Sequence, residues 1–80
     1  SETLRQNLLL ARPEATDEEL RQVLVQVELQ DWLASLSAGL DSWVGQFGLQ
    51  MSGGERQRLA AARALLRWMP RQKGAPKGAP

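Results

Sequence analysis

Apolar positions along this chain recur mostly at helical spacing. Over residues 2–10, Leu4 and Leu8 stand four apart and Leu9 and Leu10 widen the same face, which predicts a short helix. A helix of that length does not hold itself together in water, so it needs a neighbour to pack on. Pro13 stops it, and a loop follows. The next segment carries stronger signals. Thr16 and Glu19 form a T-x-x-E capping box, and Asp17 and Glu18 place negative charge at the positive end of the helix dipole. Leu20, Val23, Leu24 and Val27 then follow at i, i+3, i+4 and i+7. One face of this helix buries, while Arg21, Gln22 and Gln26 stay in water.

A second short helix is expected over residues 31–35, with Trp32, Leu33 and Leu36 as core candidates, before Gly39 and Asp41 turn the chain. Three Trp and one Phe are the only bulky aromatic residues, so Trp32 and Trp43 are expected to anchor a thin core rather than to serve as ligand platforms. Residues 40–44 are compatible with extended backbone. Gly45, Gly48, Gly53 and Gly54 make residues 45–54 conformationally permissive. Ser52 and Glu55 form another capping box, S-G-G-E, that opens a last helix with Leu59, Ala62, Leu66 and Met69 as its apolar stripe. Arg56, Arg63 and Arg67 line a neighbouring stripe, and Pro70 ends the run. The remainder repeats KGAP twice and has no residue able to bury, so residues 68–80 are expected to form a disordered basic tail.

Eighty residues support at most one small domain. With no Cys and no His, disulfides, soft-ligand metal sites and Ser/His or Cys/His catalysis drop out, and no metal site is expected. No apolar run approaches the roughly 20 residues that span a bilayer. The start SETLRQNLLL also lacks the basic and apolar regions of a secretory signal. The net charge of +1 hides a split: residues 1–55 hold three Arg against nine acids, and residues 56–80 hold seven Arg or Lys and no acid. Two differently solvated faces plus a tail explain this; a basic arm for nucleic acid or an anionic surface is the alternative.

The chemistry concentrates at the Ser-Gly-Gly turn. A helix start is an anion site on physical grounds, because its first amide N–H groups lack intrahelical acceptors and the dipole is positive there. Glycines let phosphate oxygens approach the backbone, and Ser52 adds a hydroxyl donor. Residues 49–66, LQMSGGERQRLAAARALL, closely resemble the signature motif and following helix of ABC-transporter ATPase domains. Upstream, Val44, Gly45, Gln46, Phe47 and Gly48 look like the segment that in ABC exporters touches the coupling helices of the transmembrane domain. Residues 3–8, TLRQNL, resemble the stretch that leaves the Q-loop for the helical subdomain. Within the exporters, the wording TLRQNLLLARPEATDEEL is most similar to the half-transporters of the cytochrome bd assembly system, which export cysteine and glutathione.

The resemblance covers residues 1–67 and implies a mainly α chain: the small helical subdomain of a P-loop ABC ATPase, incomplete, with the tail appended. It implies that Ser52, Gly53 and Gly54, with Glu55 and Gln57 nearby, contact the γ-phosphate of an ATP held by the opposite ATPase domain. Met51 stands where the family usually has Leu, Gln46 where exporters carry Glu, and Glu28 where relatives often have Gly. A Walker A loop needs G-x-x-x-x-G-K-[ST], yet Lys73 and Lys77 are each followed by Gly. No acid follows Glu55, so Walker B is missing with the switch His. The expectation is a fragment or truncated frame that hydrolyses no ATP alone and uses ATP with magnesium only in a parent complex. Its partners there are a second ATPase domain and a transmembrane domain on the cytoplasmic face of the bacterial inner membrane; alone it would be cytoplasmic, touching membrane only through a partner. The rival is a small nucleic-acid or anionic-surface binder using Arg56, Arg58, Arg63, Arg67, Arg71, Lys73 and Lys77. Nucleic acid is not the expected partner, because only Trp68 interleaves with these residues. A regulatory partner docking on an intact transporter stays open beside the fragment.

Overall fold

Three of the four α-helices begin with the same device. In the computed structural model, which describes residues 2–45 and 50–70, α1 spans Leu4–Leu9, α2 Asp17–Gln26, α3 Gln30–Ser35 and α4 Gly53–Trp68. Thr3, Thr16 and Ser52 are the N-caps of α1, α2 and α4, and each closes a full capping box with Gln6, Glu19 and Glu55 respectively. The two boxes expected at Thr16 and Ser52 are therefore present, and α1 adds a third, T-L-R-Q, which trims the expected 2–10 helix to its central six residues. Among the described residues there is no strand, only a 3-10 turn over Gly39–Asp41 and an isolated antiparallel bridge between Thr3 and Trp43.

α3 has no side-chain cap because it follows α2 with almost no loop. The junction turns on Glu28, whose φ of 63° lies in the left-handed region. Glu28 N donates to Val25 O at 2.9 Å and Leu29 N to Leu24 O at 2.8 Å, the paired bonds of a Schellman ending. Such an ending favours Gly at the left-handed position. Glu28 there carries the steric cost of a side chain.

The core is built from leucine. Leu4 and Leu8 of α1, Leu20, Val23 and Leu24 of α2, Leu29, Leu40, and Leu59, Ala62 and Leu66 of α4 form one buried cluster. α2 packs on α4, and α1 touches both as well as the 3-10 turn, so the short first helix has the neighbours it needs. Each fully buried leucine contributes about 1.5–3 kcal/mol of apolar transfer energy. Val27, Trp32, Leu33, Leu36 and Met69 pack around the cluster without being buried in it.

Two expectations are corrected. Trp43 is not a core anchor: it is 46% exposed. Residues 40–44 are not extended throughout either, since Leu40 and Asp41 belong to the 3-10 turn and extension begins at Ser42. The second fact explains the first. Along extended backbone, side chains alternate between faces, and with Leu4 N donating to Ser42 O at 2.8 Å and Val44 N to Glu2 O at 3.0 Å, the buried Ser42 and half-buried Val44 take the inner face. Trp43 is left on the outer one.

Polar ties hold the helices in place. Arg5 donates from Nε and Nη2 to the two carboxylate oxygens of Asp17, each at 2.9 Å, and from Nη1 to Asp41. This fork joins α1, the start of α2 and the 3-10 turn. It holds the Asp17 carboxyl below the usual carboxylate range, while Asp17 and then Asp41 push the Arg5 guanidinium further up. The expected tail does not begin at 68, since Trp68 is the last residue of α4 and Met69 packs against the core; residues 71–80 of that tail, and Gln46, Phe47 and Gly48 of the expected coupling segment, lie outside the described residues.

Candidate nucleotide-contacting site

Sequence places the candidate site at the start of α4, and the local geometry follows from the capping box. Ser52 is extended, with φ −68° and ψ 166°; its Oγ accepts from Glu55 N at 3.1 Å, and Glu55 Oε1 accepts from Ser52 N at 3.1 Å. The first intrahelical bond, Arg56 N to Ser52 O, is 3.0 Å long. The amides of Gly53 and Gly54 occupy the first two helical positions, where no intrahelical acceptor exists. Ser52, Gly53, Gly54 and Gln57 are exposed, and Glu55 is half-buried. Because the Ser52 oxygen accepts from Glu55, its hydroxyl proton remains able to donate outward.

Among the described residues nothing requires either glycine. A Cβ on Gly53 would meet open space, and one on Gly54 would come no nearer than 3.5 Å to the Arg58 Nη1 atom, an ordinary contact. Neither has a positive φ. Glycine within a helix is destabilising by roughly 0.5–1 kcal/mol relative to alanine, and the described residues make no use of two in succession here. Their bare backbone suits close approach from outside.

The charges around the turn are mixed. The Glu55 carboxylate is engaged by the cap, and Arg56 Nη2 donates to Met51 O at 3.2 Å. Met51 is half-buried and packs on the core where the family pattern has Leu, a near-isosteric exchange. Of the expected coupling residues, Val44 and Gly45 are half-buried.

Two contacts that sequence reasoning missed tie α4 to the N-terminal segment. Arg63 Nη1 donates to Asn7 Oδ1 at 2.7 Å, and Asn7 Nδ2 to Glu2 Oε2 at 2.8 Å. Arg12, only 9% exposed, donates from Nη1 to Leu66 O at 3.1 Å and Met69 O at 2.7 Å, filling the carbonyls at the end of α4. The only sequence hint of this was an arginine set between an apolar run and Pro13.

No family model matches the chain, but curated proteins match most of its length. Over the matched residues the chain is homologous to ATP-binding/permease proteins of the ABC exporter class. It is 54% identical over 70 residues to the glutathione/L-cysteine transport system ATP-binding/permease protein CydC of Escherichia coli (strain K12), a match covering 88% of this chain. It is 44% identical over 66 residues to a putative multidrug export ATP-binding/permease protein of Staphylococcus aureus (strain bovine RF122 / ET3-1), covering 82% of this chain. The chain spans only 12% and 11% of the length of these two relatives.

Proposed function

We propose that these residues act as the helical subdomain and signature motif of an ABC exporter's ATPase domain. In this reading Ser52, Gly53 and Gly54, with Glu55 and Gln57 beside them, close over the γ-phosphate of an ATP bound to the opposite ATPase domain. Residues 44–48 face the transmembrane domain, and the machine of which they are part exports thiol compounds at the cytoplasmic face of the bacterial inner membrane. The observation that carries the reading is the pair of exposed glycines at the start of α4, which nothing among the described residues requires.

A helix start and one hydroxyl stabilise negative charge on a phosphate held elsewhere. They supply no adenine platform, no lysine and no magnesium ligand, so ATP with magnesium belongs to the parent complex. The 80 residues alone are expected to hydrolyse no ATP and to bind it no better than about millimolar.

The test places residues 2–67 in the matching stretch of the E. coli relative and compares Ser52→Ala, Ser52→Asn and Gly54→Asp. Asn keeps the cap but removes the hydroxyl. Turnover should fall by roughly 100-fold in Gly54→Asp and less in the Ser52 variants, the scale of losing a transition-state donor, while first nucleotide binding is spared. Equal losses of initial affinity and turnover would sink the reading.

A further inference from the structure

The 52–54 turn is carried on an overhang. The first buried residue of α4 is Leu59; between it and Ser52 only Glu55 is even half-buried. On one side the turn adjoins Met51, which packs on the core; on the other it follows the axis of α4, and that axis is set by what holds residues 59–69. Ser52 lies ten residues, or about 15 Å, beyond Ala62, so a tilt of roughly 4° about that point displaces the turn by about 1 Å. A misplacement of about 1 Å costs on the order of 100-fold where groups must be aligned for reaction.

Two grips act on that axis besides the apolar stripe. One is the Arg63–Asn7 bond near the middle of α4. The other is Arg12 at its far end, where a single Nη1 spans the carbonyls of Leu66 and Met69. A cation there opposes the negative end of the helix dipole. As a device for stability alone the arrangement is poor. Burying a guanidinium is costly unless all its donors are matched, and Arg12 Nε has no hydrogen-bond partner among the described residues, only a long ion pair to Glu14 Oε2 at 3.8 Å. What the burial does supply is a rigid, planar fork at one fixed place.

We propose that Arg12 is a positioning residue for the 52–54 turn: by gripping the C-terminal end of α4 from the loop after α1, it sets the axis on which the turn is carried. The proposal rests on reading that turn as the nucleotide-contacting one, but its mechanical content stands apart from nucleotide and is tested without it.

The experiment compares amide NMR spectra and hydrogen exchange of the 15N-labelled full chain with those of Arg12→Met, which keeps apolar bulk, and Arg12→Lys, which keeps the charge but not the fork. In Arg12→Met the Gly53 and Gly54 cross-peaks should move, although they lie 12 or more residues from the nearest lost bond. Exchange over residues 59–66 should speed up about tenfold, as expected for losing a charge-assisted hydrogen bond, with α2 unchanged. Arg12→Lys should shift the same glycine peaks in the same direction by less. Changes confined to residues 11–16 and 65–70 would overturn the proposal. If Arg12→Met loses its fold, Arg12→Lys decides: moved glycine peaks in a folded chain support it, while unmoved peaks, or loss of dispersion throughout, overturn it. Failure here leaves the Ser52 turnover test untouched, and failure of that test leaves the grip on α4 standing.

Discussion

The two ends of α4 are finished in opposite ways. At the N-terminal end, Ser52 and Glu55 satisfy each other's backbone from three residues apart, and the turn stays exposed. At the C-terminal end the carbonyls of Leu66 and Met69 are filled by Arg12, 54 and 57 residues away, through one buried and one part-buried bond. A cap drawn from within the same turn leaves the outer surface free for a partner. A cap drawn from elsewhere in the fold fixes the helix in place. One helix thus presents a free end and a held end.

The largest expected effect lies at the held end. Leu66→Ala removes a side chain with no exposure and should be destabilising by about 2–5 kcal/mol, a loss comparable to the whole net stability expected of so small a core. Circular dichroism should show most of the helical signal gone. Arg58→Ala, at the exposed end, should stay within about 0.5 kcal/mol of the parent chain. Similar losses in both would erase the contrast.

Removing the local cap comes next. Ser52→Ala should lower stability by about 1 kcal/mol, and Ser52→Asn should restore most of it. Urea titration followed by helical signal reads both. No change in Ser52→Ala would mean that the exposed end is held by something other than its capping box.

Glu28→Gly asks whether a third helix end, that of α2, carries avoidable strain. Because Glu28 is left-handed, Gly should raise the unfolding midpoint by the equivalent of about 0.5–1 kcal/mol, the relieved steric cost less the entropy Gly adds to the unfolded chain. A lower midpoint would show that Glu28 makes a compensating contact.

The smallest effect is electrostatic. Arg5 lowers the Asp17 carboxyl from its ordinary value of 3.8, so its contribution is fully present above 3.8 and is lost as pH falls through the lowered folded-state value. The stability gap between the parent chain and Asp17→Asn should therefore be widest near neutrality and shrink in acid. Salt should shrink it as well, because the pair is solvent-accessible. A gap that widened in acid would reverse the assigned cause.

Much of this molecule was legible along the chain because its main signals are local. Capping boxes act over three residues and apolar stripes over four, so Thr16, Ser52 and the Leu20, Leu24, Leu59 and Leu66 positions declare their helices without reference to distant partners. The 52–54 turn is legible for the same reason: two glycines at a helix start stand out in sequence, and the described residues around them leave their missing side chains unused.

What only the tertiary structure decided is how those pieces meet. Sequence alone gave Trp43 to the core because of its size, but the bridge to Thr3 sets which face of the extended stretch points inward, and Ser42 and Val44 take it. Nothing local to Arg12 or Asn7 shows that they hold the end and middle of a helix more than 50 residues later. Periodicity records which face of a helix is apolar. It carries no information about which distant donor reaches the last carbonyls, because that depends on the angle at which packed leucines let the helices cross.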